Sequence, residues 1–154
     1  MGEYYMKLYS GVYGLETVVL RYFNVYGERQ SYASDYSGVI AIFEKKIKNN
    51  EQPIVYGDGA QYRDFIHVKD AVRANIKAMQ TLNISGEVFC VGTSKKTSIN
   101  DLVKILNAKY SLEIKPLFKD ERPGDIKKSI CDNGKMQKVL DMKEFISFEK
   151  GILQ

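Results

Sequence analysis

The sequence predicts an α/β fold in which strands and helices form layers. Apolar runs typical of buried strands alternate with segments that repeat apolar residues every three or four positions. The run at residues 18–20 is continuous and mostly β-branched, as in a parallel strand covered on both faces. With 154 residues, 44% of them hydrophobic, the chain is long enough for one domain with a core.

The chain begins with a predicted helix over residues 3–13, which Gly14 is suited to end. A strand at residues 17–23 follows and runs into residues 24–27. Because ligands of open α/β sheets bind beyond the carboxyl ends of strands, residues 24–27 are a candidate site. The apolar face of the helix consists of Tyr5, Leu8, Tyr9, Val12 and Tyr13.

The middle of the chain contains a second predicted helix and a glycine turn. Residues 28–36 are polar and predict a loop, and the helix after them ends near Asn49. Pro53 opens a short strand. Residues 57–68 then predict a glycine turn that presents Arg63 between this strand and the next helix, where a ligand would be held.

The second half of the chain continues the alternation of helices and strands. A helix is predicted from Val68 to a point before Ser85, and Ser98 with Asp101 resembles a capping box that starts another helix. The apolar face of the first of these helices is predicted at Val68, Val72, Ile76 and Met79. The remaining predicted elements are strands at 88–91 and about 113–118, a loop at 120–125, an extended piece at 129–131, and short helices after residues 133 and 147.

Composition narrows the classes of partner. The formal charge is +4, and the lysine doublets are spread along the sequence. A nucleic-acid-binding protein concentrates its basic residues in one stripe or module, so we expect an anionic small molecule and no nucleic acid. No apolar run is long enough for a membrane span and no secretory segment opens the chain, which predicts no membrane contact and a cytoplasmic location. Cys90 and Cys131 lack paired spacing and are predicted to be reduced and structural, with no metal site.

Motifs for cofactor binding and catalysis are missing from these 154 residues. Gly57 and Gly59 are followed by Tyr62, so they do not form the G-x-G-x-x-G dinucleotide fingerprint. No tyrosine has a lysine four positions on, a spacing that lowers a tyrosine pKa for proton transfer. His67 is the sole histidine and has apolar neighbours, so we predict that it is packed and hydrogen-bonded. No catalytic residue is assigned.

Three separated motifs, in order, resemble extended short-chain dehydrogenase/reductases: residues 17–27, residues 54–68 and residues 122–125. The chain is most similar to the NAD-dependent epimerase/dehydratase family, and within it to enzymes of the UDP-glucose 4-epimerase type. The resemblance covers the whole chain but only half of the family's length. It implies the C-terminal part of a Rossmann-type doubly wound sheet plus a small α/β substrate-binding lobe, without the N-terminal nucleotide-binding half.

That half carries the glycine fingerprint and the Tyr-x-x-x-Lys pair in the family. The resemblance therefore implies that residues 1–154 are a single truncated α/β unit whose family cofactor, NAD, is bound largely by residues outside the chain. Residues 1–27 and about 68–92 would belong to the residual Rossmann sheet and its helices. Residues 28–67 and 93–154 would form the substrate lobe.

By the same resemblance, Tyr22 and Phe23 match positions at the nicotinamide end of NAD. Asn24 matches an asparagine that hydrogen-bonds the phosphate and sugar region of a UDP-sugar. From the residues alone, Tyr22 and Phe23 are also explained as strand-end core and Asn24 as a turn residue. Ser129 stands where many glucose-restricted and galactose-restricted relatives have tyrosine, which is similar to members that admit N-acetylated sugars. Ala41 stands where many relatives have proline.

Four further positions match contacts to the nucleoside. Val39, Ile54 and Tyr56 match positions that pack against the uracil, which needs an apolar slot with a few edge hydrogen bonds. Asp125 matches the carboxylate that accepts hydrogen bonds from the ribose hydroxyls. Without the resemblance, the first three residues are interpreted as core and Asp125 as a loop cap.

Arg63 and Arg122 match the two arginines that clamp the diphosphate. A planar guanidinium fork is suited to this contact because it donates two parallel hydrogen bonds. The alternative for Arg63 is an ion pair with its neighbours Asp58 or Asp64.

Two functions follow from these observations. The first is the substrate-binding portion of an NAD-dependent UDP-sugar epimerase, which is inactive alone because the chain lacks the catalytic pair. The second is a non-catalytic nucleotide-sugar-binding or assembly module. It would be completed by a partner chain or by self-association, because the strand near residues 18–22 would have an open edge.

Overall fold

The computed structural model describes residues 1–31 and 38–153. The α/β fold class is confirmed, because helices alternate with short strands that pair mostly in parallel. The helices are α1 (Gly2–Tyr13), α2 (Val39–Lys48), α3 (Val68–Gln80), α4 (Ile99–Tyr110), α5 (Gly134–Val139) and α6 (Phe148–Leu153). The strands are β1 (Val18–Tyr22), β2 (Asn24–Tyr26), β3 (Ile54–Tyr56), β4 (Tyr62–Arg63), β5 (Phe65–His67), β6 (Glu87–Val91), β7 (Thr97–Ser98) and β8 (Leu117–Lys119).

The strands form four pairs. β1 pairs in parallel with β6, with Val18 opposite Glu87 and Tyr22 opposite Val91. The pairs β2 with β5 and β3 with β8 are also parallel, whereas β4 and β7 are antiparallel. Since Phe23 donates its N–H to Val91 O and Asn24 donates to Asp64 O, the chain passes directly from one strand pair to the next.

The first helix forms as predicted. Gly14 ends α1 with φ of 67°, and its N–H donates to Ser10 O. However, α1 buries no residue, and Tyr4 and Val12 remain 81% and 63% exposed. The expectation that the following strand is covered on both faces is wrong, because residues 18–20 of β1 are only partly buried and Arg21 is exposed.

The predicted apolar face of α3 is also wrong. Val72, Ile76 and Met79 are exposed, the last by 86%. The helix instead buries Asp70 and three alanines, Ala71, Ala74 and Ala78. Ala74 and Ala78 pack with Phe89 of β6 in one apolar cluster, and small side chains let the helix backbone lie close to the sheet.

His67 precedes α3 and is packed as predicted. Its side chain is 1% exposed, and Nδ1 accepts the N–H of Lys69, which caps the helix. The predicted capping box is confirmed in α4, where Ser98 Oγ accepts the N–H of Asp101 at 3.0 Å. α2 ends near Asn49 as predicted.

The remaining expectations are met in part. The predicted strand at about 113–118 appears as β8, three exposed residues long. No strand forms at residues 129–131 within the described part of the chain, where only an isolated bridge joins Lys128 to Tyr62. The predicted loop at 28–36 lies partly outside the described residues. Both closing helices form.

The interior contains two apolar clusters. The first lies between α2, α4 and α6 and consists of Tyr26, Ile40, Phe43, Ile47, Val55, Phe65, Ile99, Leu102, Val103, Leu106, Phe148 and Ile152. The second lies between α3, β6 and α5 and consists of Ile66, Ala74, Ala78, Ile84, Phe89, Val91, Met136, Leu140 and Met142. β5 joins them, because Phe65 faces the first cluster and Ile66 the second.

Candidate functional site

The ten residues singled out from the sequence fall into two concave regions. The larger, which we call the nucleotide cavity after the ligand expected from the sequence, has a volume of about 620 Å³. The smaller, which we call the sugar cavity for the same reason, has a volume of about 300 Å³. The nucleotide cavity is lined by Val39, Ile54, Tyr56, Arg63, Arg122 and Asp125. The sugar cavity is lined by Tyr22, Phe23, Asn24 and Ser129.

One wall of the nucleotide cavity is apolar. Val39 begins α2, and Ile42 and Phe43 follow it one turn on. Ile54 and Tyr56 belong to β3 and are partly buried. Apolar walls with a few polar groups are typical of sites that hold a flat ring such as a nucleobase.

A glycine turn leads from β3 toward Arg63. Gly57 and Gly59 have φ of 73° and 74°, a conformation that side chains disfavour. A Cβ on Gly59 would lie 2.1 Å from Asn100 Oδ1, so the turn packs directly against the first turn of α4. Asn100 fixes it further by donating Nδ2–H to Asp58 O at 3.0 Å. The turn is therefore packed and hydrogen-bonded against α4, and it leads to Arg63, which lines the cavity.

Arg63 forms an ion pair with Asp125. Its Nη2 lies 3.0 Å from Asp125 Oδ1, and its Nη1 donates to Tyr62 O at 3.1 Å. The Arg63 side chain is only 17% exposed. The alternative pairing with Asp58 or Asp64 is wrong, because Arg63 pairs with Asp125 instead. The carboxylates of Asp58 and Asp64 accept hydrogen bonds from backbone N–H groups.

Arg122 stacks on an aromatic ring. Its guanidinium carbon lies 3.7 Å from the centroid of the Tyr56 ring. The guanidinium is planar, so its N–H groups lie in its own plane and leave the face free to contact the ring. Asp125 N–H donates to Arg122 O at 3.2 Å, and Gly124 between them has φ of 81°. This tight loop holds Arg122 and Asp125 beside each other.

The charges at the nucleotide cavity suit a polyanion. Two guanidinium groups face one carboxylate, that of Asp125. Lys46 also lines the cavity and pairs with Glu51 at 2.9 Å. A planar guanidinium fork of this kind can donate two parallel hydrogen bonds to an anionic oxygen pair.

The sugar cavity is polar and shallow. Tyr22 Oη donates to Asn75 Oδ1 at 2.8 Å, and Asn24 Nδ2 donates to Asp64 O at 2.8 Å. Ser129 N–H donates to Tyr62 O at 3.2 Å. These bonds fix the residues around the opening.

The residues of the sugar cavity fit only one end of a dinucleotide. The ring of Tyr22 is about half exposed at the end of β1, with Phe23 beside it, which suits a flat ring. These 154 residues contain no glycine fingerprint for the pyrophosphate of NAD. Of the features that suit NAD, the 154 residues thus contain an exposed aromatic ring at a strand end and lack the pyrophosphate fingerprint.

Sequence reasoning missed two residues, one that lines the nucleotide cavity and one buried behind the site. Gln61 lines the nucleotide cavity and donates Nε2–H to Tyr56 O at 2.8 Å. Asp64, considered only as a partner of Arg63, is completely buried and accepts hydrogen bonds from residues 29 to 67 positions away. No spacing pattern could have found these contacts, because they join segments distant in sequence.

Metal-ligating clusters and membrane-spanning helices were searched for within residues 1–31 and 38–153. No cluster of three or more histidine, cysteine or acidic side chains there could hold a metal ion. No helix in this part of the chain is long and apolar enough to cross a bilayer. Burial raises the pKa of the Cys131 thiol to about 12, which favours its protonated form at neutral pH.

Comparison with known proteins agrees with this architecture. Residues 1–92 match the model of the NAD dependent epimerase/dehydratase family. A relative from Methanocaldococcus jannaschii, provisionally named a UDP-glucose 4-epimerase, is 40% identical over 99% of this chain and 48% of its own length. The chain thus spans about half the length of that relative.

Solved structures show the same relation. The UDP-glucose 4-epimerase of Thermotoga maritima, solved with UDP-glucose, has a TM-score of 0.90 and 39% identity over 98% of this chain and 48% of its own. The UDP-N-acetylglucosamine 4-epimerase of Methanobrevibacter ruminantium, solved with UDP-N-acetylmuramic acid, has a TM-score of 0.91 and 39% identity with the same coverage. In sequence and in fold, this chain belongs to the NAD dependent epimerase/dehydratase family.

Proposed function

We propose that the chain is the C-terminal, substrate-binding portion of an NAD-dependent nucleotide-sugar epimerase and holds a UDP-sugar through its diphosphate. The observation that supports this most directly is that Arg63 and Arg122, 59 positions apart in sequence, line the same cavity. The relatives that share its fold include epimerases solved with UDP-sugars.

The proposed ligand spans both cavities. Its uracil lies in the apolar slot between Val39, Ile54 and Tyr56, and its ribose hydroxyls donate to Asp125. Its sugar extends toward Asn24 and Ser129 at the sugar cavity. Because Asp125 holds Arg63 in the free protein, the diphosphate competes with this carboxylate for the guanidinium, and Asp125 turns to the ribose as the ligand binds.

The chain alone is proposed to bind without converting its ligand. NAD, when bound, supplies the hydride acceptor for epimerisation, and Tyr22 and Phe23 would contact its nicotinamide end. However, these 154 residues contain no Tyr-x-x-x-Lys pair to remove a proton. Interconversion of UDP-galactose and UDP-glucose by the purified 154-residue chain would refute this part of the proposal.

Titration calorimetry with UDP tests the binding site. We expect Arg63→Ala and Arg122→Ala each to weaken UDP binding by about 1.5 to 3 kcal/mol, since each removes charged hydrogen bonds. That corresponds to roughly 10- to 150-fold in Kd. Arg21→Ala is the matched control, because Arg21 pairs with Glu3 away from both cavities. Equal affinity of all four proteins for UDP would contradict the diphosphate assignment.

A second candidate, a non-catalytic assembly module, is favoured by one observation. The helix α1 buries no residue, although Tyr5, Leu8 and Tyr9 form an apolar face along it. Such a face favours association with a partner chain or a second copy. Light scattering after size exclusion separates the candidates, because a monomer at all concentrations would speak against self-assembly.

A further inference from the structure

Asp64 is the most completely satisfied buried charge beside the site. The residue is 0% exposed. Four hydrogen bonds from described residues reach its carboxylate. Oδ1 accepts Thr93 N–H at 2.8 Å and the Thr93 hydroxyl at 2.7 Å. Oδ2 accepts Ser94 N–H at 2.8 Å and Cys131 N–H at 3.1 Å. The carboxylate therefore ties two loops to the segment that follows Arg63.

The backbone of the same residue holds a third segment. Asp64 O accepts both the backbone N–H of Asn24, at 3.2 Å, and its side-chain Nδ2–H, at 2.8 Å. The orientation of the Asn24 amide at the sugar cavity is thus set by Asp64. Through these hydrogen bonds, Asp64 connects four parts of the chain, at residues 24, 63–65, 93–94 and 131.

Asp64 and the segments bonded to it, which we call the junction, are closely packed. A Cβ on Gly92 would lie 2.5 Å from Cys131 Cβ and 3.0 Å from Asp64 Oδ2. Ser94 Oγ donates to Cys131 O at 2.8 Å, and Asn133 Nδ2 donates to Gly92 O at 2.8 Å. These contacts hold the segment that includes Ser129 and Cys131 in one position against the residues that follow β6.

The junction serves one end of the site and not the other. Asn24 and Ser129, which line the sugar cavity, lie on segments bonded directly to Asp64. Val39, Ile54 and Tyr56 lie on α2 and β3, and the four donors to the carboxylate come from neither element. The segment of Ser129 therefore depends on the Asp64 carboxylate, and Asn24 depends on the main-chain carbonyl of the same residue. The guanidinium of Arg63, next in sequence, is held instead by Asp125 and Tyr62 O.

We propose that Asp64 is a positioning residue that sets the register of the sugar-binding segments and thereby provides the affinity for the sugar beyond that for the nucleotide. This inference rests on the proposed function. It concerns a residue that contacts neither cavity, so its effect reaches the ligand through Asn24 and Ser129.

Asp64→Asn is the sharpest substitution because it preserves shape. All four groups facing the carboxylate are donors in this structure, three of them backbone N–H groups that cannot accept. An amide presents one NH₂, which must face at least one of these N–H groups in either orientation. The variant therefore breaks the junction locally without opening a cavity.

The test compares UDP with UDP-glucose and UDP-N-acetylglucosamine, using titration calorimetry on the full chain. We expect the ratio of the UDP Kd to the better UDP-sugar Kd to fall at least about fivefold in Asp64→Asn, the loss of a hydrogen bond. The Kd for UDP should change less than about twofold. Loss of affinity for both ligands in equal proportion would overturn the proposal, as would wild-type protein that binds UDP and the UDP-sugars equally.

Asp70→Asn is the matched control. Asp70 is also buried, accepts Ile146 N–H at 2.8 Å and pairs with Arg73 at 3.0 Å, but it lines neither cavity. A merely structural loss lowers the folded fraction and acts on both ligands alike, so Asp70→Asn should destabilise the chain and leave the ratio unchanged. A changed ratio in this control would overturn the assignment to Asp64.

Amide hydrogen exchange by NMR decides the inference without any ligand. Asp64→Asn should speed exchange at Thr93, Ser94 and Cys131 and shift the side-chain amide of Asn24, while the amides of α4 stay protected. Unchanged exchange at these three amides would overturn the proposal. Failure of wild-type protein to bind any of the three ligands would instead refute the proposed function, and the exchange result would still decide the role of Asp64.

Discussion

Helices α1 and α4 are each twelve residues long and carry similar apolar repeats, yet their surroundings differ completely. α4 buries Ile99, Leu102, Val103 and Leu106, whereas α1 buries none of its residues. Periodicity thus identifies a helix in both cases but does not reveal whether its partner is present.

The two helices are held by different forces. α4 packs against α2 and α6, with Leu102 and Leu106 fully buried between them. α1 is attached mainly by polar contacts: Arg21 with Glu3, Ser10 with Ser85, and Thr17 with Met6 O. Exposed polar contacts contribute little to stability, so α1 should be the weaker element.

The largest expected effect comes from truncating the same residue type on each helix. Leu102→Ala should lower the free energy of unfolding by about 2 to 5 kcal/mol, because it leaves a cavity in a packed core. Leu8→Ala, at a residue that is 53% exposed, should change it by less than about 0.5 kcal/mol. Urea denaturation followed by circular dichroism measures both.

If Leu8→Ala and Leu102→Ala lowered the free energy of unfolding equally, the contrast between α1 and α4 would be wrong. If Leu8→Ala destabilised strongly, and more at higher protein concentration, the apolar face of α1 would be covered in solution by another copy. That outcome would favour the assembly module over the isolated substrate-binding portion.

A smaller effect separates the two faces of α3. Ala74→Leu should destabilise by about 1 to 3 kcal/mol, because Ala74 is fully buried against the sheet and a larger side chain overpacks the contact. Ile76→Ala should cost less than about 0.5 kcal/mol on the exposed face. If Ile76→Ala lowered the melting temperature more than Ala74→Leu, the apolar face predicted from the sequence would be the buried one.

The reversal in α3 shows where sequence reasoning ends. The pattern of Val72, Ile76 and Met79 has the correct helical period, so the helix was predicted. The face that packs against the sheet, however, is the one that carries the alanines. Hydrophobicity ranks alanine low, whereas close approach of a helix to a sheet favours small side chains. The strands β4, β5 and β7 are too short to show a period and were missed, whereas β3, also only three residues long, was predicted from its apolar run after Pro53.

The site divides in the same way between what the sequence could and could not predict. The ten residues were found because motifs resembling a family place them, and they do gather around two cavities. Their contacts were not found. The ion pair of Arg63 with Asp125 joins residues 62 positions apart, and the stack of Arg122 on Tyr56 depends on a loop conformation. Such contacts follow from the fold and leave no local pattern.

The smallest expected effect distinguishes the caps of α3 and α4. Ser98 caps α4 with a hydroxyl that does not titrate, whereas α3 is capped by His67 Nδ1, which must be unprotonated to accept the Lys69 N–H. Burial, with help from the charge of Lys69, lowers the pKa of His67 below its ordinary value near 6.5. Below pH 6.5, His67 is therefore protonated more readily in the unfolded chain than in the folded chain.

The contribution of His67 to stability should thus be complete above pH 6.5 and be lost as the pH falls toward the lowered pKa of the folded state. For one proton the loss cannot exceed about 1.4 kcal/mol per pH unit. His67→Asn keeps a capping side chain and removes the titration. Urea denaturation at pH 7.5, 6.5, 5.5 and 5 should show a steeper decline for the wild type than for this variant. Parallel declines would show that carboxylates alone set the acid sensitivity and that the buried histidine does not titrate in the unfolding equilibrium.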